Sequence, residues 1–179
     1  LDASVDSVGE KISNTSIVGT YEDLDKYVGE DLNSVALCMG NNRERAIWFK
    51  KAKSMGLDVV SAIHPTAILE SDALIGEGVT VCAGAIVCTQ AKIGNGVIIN
   101  TGSVVDHETI LMDFSSVAPG SYLAGRVCVG EETFIGIGVS ISHNINIGGG
   151  TVIGAGAVVV CDIESNVTAF GVPATVQKA

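Results

Sequence analysis

The sequence predicts a mainly β fold in which the chain winds as a parallel β-solenoid behind a short α/β segment. Three observations predict it. Every sixth residue from position 63 to position 159 is Ile, Leu or Val without a break, beginning Ile63, Leu69, Ile75, Val81, Val87 and Ile93 and ending Ile147, Ile153 and Val159. Four residues after each comes a small or β-branched residue, such as Ala67, Ala73, Val79, Ala85, Ser103, Thr109 and Ala157, with Ile145 the bulky exception. Between them recur Gly and Asn, as in Gly76, Gly78, Gly94, Asn95, Gly96, Gly154 and Gly156. A period of six fits neither a helix of 3.6 residues per turn nor an alternating hairpin sheet. The aliphatic residue and its small partner point inward, and the residues between make corners because they tolerate left-handed backbone angles. One layer cannot bury its own apolar face, so layers must stack.

Ahead of the repeat the pattern changes. Residues 21–27 read as a short helix with Thr20 as N-cap and Asp23 three residues on, close to a capping box. Residues 33–39 form a buried-strand run, Gly40-Asn41-Asn42 a turn and helix start, and residues 43–54 an amphipathic helix carrying Trp48 and Phe49. A second strand is predicted over 57–63, giving a strand, helix, strand unit and a parallel α/β sheet. The predicted division is therefore a partial, Rossmann-like α/β domain over 1–62 and the repeat domain with a C-terminal cap over 63–179. No Met and no Gly-rich loop stands ahead of Leu1, which leads to the expectation that a further strand and helix of about 30–40 residues precede it.

Composition narrows the function. The net charge of −10 argues against nucleic acid as a partner, since phosphate binding needs a basic face. After residue 60 the basic residues are Lys92, Arg126 and Lys178. No apolar run reaches the roughly 18–20 residues of a membrane span, and no signal peptide is visible. The five cysteines, Cys38, Cys82, Cys88, Cys128 and Cys161, form no CxxC pair and are odd in number. That points to reduced thiols filling packing sites in a cytoplasmic protein, with no metal.

His107 and His143 both take the third place of their hexads, an outward corner place, and are 36 residues apart. With three hexads of six per turn, or 18 residues, they fall on one corner two layers apart, about 9–10 Å. Gly125 lies between them, so a bare backbone flanked by side chains should form a notch with a histidine at its edge. His107 is flanked by Asp106 and Glu108. A carboxylate that accepts an imidazole N–H fixes the tautomer and makes the other nitrogen a better base. The competing reading is an exposed corner histidine without a duty. His143, between Ser142 and Asn144, reads as structural, and His64 as a linker residue.

Several segments together resemble the sialic-acid and nucleotide-sugar acetyltransferase family of hexapeptide-repeat enzymes. They are Val97-Ile-Ile-Asn-Thr-Gly-Ser-Val-Val-Asp-His-Glu, Val117-Ala-Pro-Gly-Ser-Tyr-Leu-Ala-Gly, Val129-Gly-Glu-Glu-Thr-Phe-Ile-Gly and Phe170-Gly-Val-Pro-Ala-Thr. Ile17-Val-Gly-Thr-Tyr-Glu-Asp-Leu and Met39-Gly-Asn-Asn-Arg resemble the end of that family's N-terminal domain. The resemblance implies a left-handed β-helix, where the general rule for parallel crossovers would give the right-handed form. It also implies a homotrimer with acetyl-CoA in the groove between neighbours.

Carried over residue by residue, the resemblance implies that His107 is the general base, with Glu108 and Asp106 its acidic neighbours. The Gly125 N–H would face the thioester carbonyl of acetyl-CoA. Ile137 and Ala155 would line the pantetheine arm, and Ser116 stands where some members place a cofactor-touching histidine. Asn100 would lie near the acceptor sugar, and Gly40 and Asn41 at the end of the nucleotide-sugar pocket. The implied reaction is acetylation of an amino group on a nucleotide-linked amino-sugar for bacterial surface glycans. Alternatives are a sialic-acid O-acetyltransferase, a branch acting on an amino acid or a free sugar, a zinc carbonic anhydrase of the same β-helix class, and a non-catalytic scaffold. The zinc reading needs three close histidines, and His64, His107 and His143 do not offer them.

Overall fold

The computed structural model describes residues 1–29 and 32–177, so Lys178 lies outside the described residues. From Ala62 onward the chain is a parallel β-solenoid with three faces, each built of two-residue strands. The first face stacks Ala62–Ile63, Thr80–Val81, Ile98–Ile99, Ser116–Val117, Phe134–Ile135 and Val152–Ile153, and closes with the hairpin Thr168–Gly171 and Ala174–Val176. The second face runs from Ile68–Leu69 through Val104–Val105 and Tyr122–Leu123 to Val158–Val159. The third runs from Leu74–Ile75 through Ile110–Leu111 to Asn146–Ile147. Register is constant: Ile98 pairs with Ser116, Val104 with Tyr122 and Lys92 with Ile110, each 18 residues on.

The second residue of each strand points inward. Val81, Val87, Ile99, Val105, Leu111, Val117, Leu123, Val129 and Ile135 are all buried. The small partners four residues later are buried too, and several are hydroxylic. Each buried hydroxyl is satisfied by a backbone carbonyl: Ser103 donates to Ala118 O at 3.0 Å, Ser121 to Gly136 O at 2.7 Å and Thr133 to Gly148 O at 2.8 Å. A polar atom can thus sit in the core without the cost of an unmade bond.

The repeat does not hold to its end. Ile147 bridges Ile163 rather than residue 165, so the last turn is two residues shorter. The Asp162 carboxylate accepts the Asn146 N–H at 2.8 Å across that shortened corner. The cysteines also differ from expectation. Cys38 and Cys161 are exposed, and Cys82, Cys88 and Cys128 are half-buried. The last three sit at corner or outward strand positions, one residue beside an inward aliphatic, where there is no closed site to fill.

In the N-terminal part the predicted strand over 57–63 is divided. Asp58–Val59 pairs in parallel with Ser34–Val35, whereas Ala62–Ile63 already belongs to the first solenoid face. The helix between them, α1, spans Asn42–Ser54, with the Asn41 side chain accepting the Glu44 N–H at 3.0 Å. Together these make a minimal parallel strand, helix, strand unit of two strands. Tyr21–Lys26 is a 3₁₀ helix whose Asp23 carboxylate accepts the Thr20 N–H at 2.8 Å. A short antiparallel pair, Lys11–Ile12 with Thr15–Ser16, was not legible in the pattern.

Helix α1 packs against the solenoid through Arg45, which is fully buried and, among the described residues, has no ion-pair partner. Its Nε donates to Gly96 O at 2.6 Å, its Nη1 to Met39 O at 2.9 Å, and its Nη2 to Asn42 Oδ1, Phe114 O and Ser116 Oγ. Burial lowers its pKa to about 10, so it stays charged at neutral pH. Asn42 completes the set by donating to Glu132 O and Thr133 O. Beside it Phe114 holds φ 58, a left-handed conformation that costs a bulky residue on the order of 1–3 kcal/mol. Its ring lies over Gly96, where any Cβ would collide with it, and meets Phe49 edge-on at 5.4 Å. Arg45→Met keeps the side-chain bulk but orphans the carbonyls, and should weaken docking of α1 by about 2–4 kcal/mol. The sole tryptophan, Trp48 on α1, reports it: its fluorescence transition should move to lower denaturant, and an unmoved midpoint would refute the role of Arg45.

Candidate functional site

The 18-residue register stacks residues 107, 125 and 143 on the corner between the second and third faces. The Arg126 N–H donates to His107 O at 2.9 Å, and the Asn144 N–H to Gly125 O at 3.1 Å. The notch differs from the sequence reading in one respect. His107 does not stand at its edge; its ring lies across the Gly125 backbone, so closely that a Cβ built at Gly125 would collide with Nε2 and Cε1. Gly125 is thus needed for space, because its φ is not in the left-handed region.

The two acids beside His107 do different things. Glu108 Oε2 is 3.1 Å from His107 Nδ1, while the Asp106 carboxylate accepts the His107 backbone N–H at 2.7 Å. With the ring proton on Nδ1, donated to Glu108, the Nε2 lone pair is free above Gly125. The hydrogen bond from His107, helped by Arg126, holds the Glu108 carboxyl below its ordinary range, so Glu108 is an anion at neutral pH. Arg126 Nη1 donates to the same Glu108 oxygen at 3.1 Å.

The Gly125 N–H is open among the described residues, as are those of Thr89 and His143 on the same corner, but of the three it is the one whose residue lies beneath the His107 ring. At two other corner places the N–H is closed by the side chain before it, that of Thr101 by Asn100 Oδ1 at 2.8 Å and that of His107 by Asp106. The residue before Gly125 is Ala124, which has no acceptor, and among the described residues the Gly125 N–H has no hydrogen-bond partner. A backbone donor left open beside an imidazole nitrogen is what a developing oxyanion requires.

The other candidate residues lie elsewhere. Asn100, Ile137 and Ala155 share the corner between the first and second faces, with the Gly156 N–H donating to Ile137 O at 2.8 Å. Ile137 and Ala155 are exposed. The width of the second face, about 15–20 Å for a six-residue side, separates them from His107. Gly40 and Asn41 are exposed at the start of α1, against the corner between the third and first faces. Within one chain, therefore, the three groups occupy three different edges. Ser116 is corrected outright. Its hydroxyl is buried under α1, donating to Asn42 Oδ1 at 2.6 Å and accepting from Arg45, so it presents no free polar atom to a cofactor.

His143 is exposed on the corner beyond Gly125, and His64 Nδ1 bonds only within its own turn, to Thr66. Sequence reasoning missed Arg126 and Asn144, which bond each other through Nε and Oδ1 at 2.8 Å. Their spacing from Glu108, at 108, 126 and 144, was the available signal.

No family model matches the chain. Solved structures do. The structure is similar to PerB from Caulobacter crescentus in complex with CoA and GDP-perosamine, at 37% identity and TM-score 0.93, covering 97% of this chain and 83% of that one. It is similar to a histidine-to-alanine mutant of GDP-perosamine N-acetyl transferase from Caulobacter crescentus, also with CoA and GDP-perosamine, at 36% identity and TM-score 0.94, covering 98% and 83%. The acetyltransferase domain of PglB from Neisseria gonorrhoeae FA1090 matches at 34% identity and TM-score 0.90, covering 93% and 82%. With a solenoid of 18-residue turns, an imidazole nitrogen open over a bare backbone, and this level of identity across nearly its whole length, the chain belongs to the hexapeptide-repeat acetyltransferases.

Proposed function

We propose that this protein transfers the acetyl group of acetyl-CoA to an amino group of a nucleotide-linked amino-sugar, a reaction serving bacterial surface glycans. The observation that carries the reading is the pairing of His107 Nε2 with the unpartnered Gly125 N–H. His107 accepts a proton from the neutral acceptor amine as its nitrogen attacks the thioester carbonyl. The Gly125 N–H receives the oxyanion, and collapse of the tetrahedral intermediate expels the CoA thiolate, which takes up the proton held on His107. Glu108 keeps the imidazole in the required tautomer, and Asp106 fixes its backbone. The similarity to enzymes bound to CoA and GDP-perosamine supports the cofactor and the acceptor class.

The site belongs to a homotrimer in this reading. Its support is the separation within one chain of His107 from Asn100, Ile137 and Ala155, which lie on opposite edges of one face; a neighbouring copy can bring one edge against the other. Outward residues of that second face include Ile68, Val104, Tyr122 and Val158, an apolar surface suited to packing. In this arrangement Ile137 and Ala155 contact the pantetheine arm, Asn100 the acceptor sugar, and Gly40 with Asn41 the nucleotide. Among the described residues no helix is long and apolar enough to cross a membrane. A sialic-acid O-acetyl acceptor remains the second reading, because a base at Nε2 serves a hydroxyl as well as an amine.

Thiol release from acetyl-CoA against UDP-, GDP- and dTDP-linked 4-amino-sugars and free sialic acid decides the acceptor. His107→Ala should lower turnover by about 10²- to 10⁴-fold with the fold and acetyl-CoA binding retained, and undiminished turnover would remove His107 from the reaction. Gly125→Ala should displace the imidazole ring and lower kcat by about 10²-fold, consistent with loss of base and oxyanion geometry together. If that variant keeps wild-type kcat, the ring's position over Gly125 is irrelevant. Ala124→Asp should recreate the Asp106 arrangement, occupy the Gly125 N–H and lower kcat by about 10²-fold at little change in KM. A change confined to KM would count against the oxyanion role.

A further inference from the structure

Positions 108, 126 and 144 form a second column on the corner that carries His107, and all three are left-handed, at φ 57, 59 and 57. Their side chains link in sequence. Glu108 Oε2 lies 3.1 Å from both His107 Nδ1 and Arg126 Nη1, and Arg126 Nε donates to Asn144 Oδ1 at 2.8 Å. The guanidinium is therefore held at two points, from the turn below and the turn above. In a chain of net charge −10, Arg126 is the one basic residue between positions 93 and 177.

We propose that Arg126 is a positioning residue for His107: it clamps Glu108 against Nδ1 from the turn above, so that the ring proton is kept on Nδ1 and Nε2 is left free over Gly125. The proposal rests on the reading of His107 as the base and adds a residue that acts through Glu108.

The groups that face the ring make the argument. On its own turn stand two carboxylates, Asp106 and Glu108. From the turn below come Cys88, whose thiol is pushed up by burial and by Asp106, and Thr89, which is bonded to Asp72 at 2.6 Å. From above come Arg126 and Asn144, and beyond Gly125 the exposed His143. Arg126 is the one permanent cation in this set. Without it nothing from the turn above holds the Glu108 oxygen against Nδ1, and the ring is freer to place its proton on Nε2, where it cannot serve as a base. Glu108, whose side chain is 44% exposed, also loses the donor on its far side and is freer to turn to solvent. A lysine could supply the charge but not the two-point fork between Glu108 and Asn144.

The test is ¹⁵N NMR of the imidazole nitrogens, which reads the tautomer directly, with His107 assigned by its absence in His107→Ala, beside kcat and KM. In the wild type the ring nitrogens should report the Nδ1–H tautomer, and in Arg126→Ala the population should move toward Nε2–H. kcat should fall about 3- to 10-fold with KM for acetyl-CoA within about twofold. Arg126→Lys should restore only part of the tautomer population and of kcat, and Asn144→Ala should lower kcat less than Arg126→Ala does. An unchanged tautomer population in Arg126→Ala, or a loss carried wholly by KM for acetyl-CoA, overturns the proposal. Full activity of His107→Ala would instead remove the base assignment, while the tautomer population still reads the Arg126 and Glu108 pairing directly.

Discussion

Three hexads per turn force residues 18 apart onto the same place in successive layers, and every arrangement of functional interest depends on that register. It puts Gly125 over His107, and it aligns Glu108, Arg126 and Asn144 in one column. A single inserted residue anywhere between 107 and 125 would turn the imidazole onto a different backbone atom. The constraint is energetic as well as geometric. Strands of two residues cannot hold a layer in place alone, so the inward Val, Ile and Leu stacks and the carbonyl-bonded Ser and Thr residues must supply the cohesion.

The N-terminal part is joined to this rod by different physics. Its own sheet is two short strands, and α1 is held against the solenoid by a buried charge whose partners are carbonyls, an amide oxygen and a hydroxyl. Such a junction is specific, because a guanidinium without its full set of acceptors is costly to bury. Phe114 adds to this specificity: its strained backbone is tolerated because its ring fits between Gly96 and Phe49. The α1 N-terminus, where Gly40 and Asn41 stand, is thereby fixed relative to the solenoid edge.

The same logic explains why some candidates were misread. Ser116 occupies an outward strand position where, by the resemblance, some members place a histidine that touches the cofactor. It is instead covered by α1, a contact between residues 74 apart in the chain that no local pattern encodes. The strand predicted over 57–63 failed for a related reason. One continuous β-prone run serves two sheets, and the break at Val60 and Ser61 arises from where its partners lie.

The sequence by itself determined the solenoid, its 18-residue turn, the corner shared by His107, Gly125 and His143, and the capping of the N-terminal helices, because each is a consequence of spacing along the chain. Only the tertiary structure decided which way the His107 ring turns, which acid holds its Nδ1, that the ring lies over Gly125, and that Arg126 is anchored to both neighbours. Those depend on side-chain rotamers and on contacts across layers, where several arrangements satisfy the same repeat and packing and electrostatics select one.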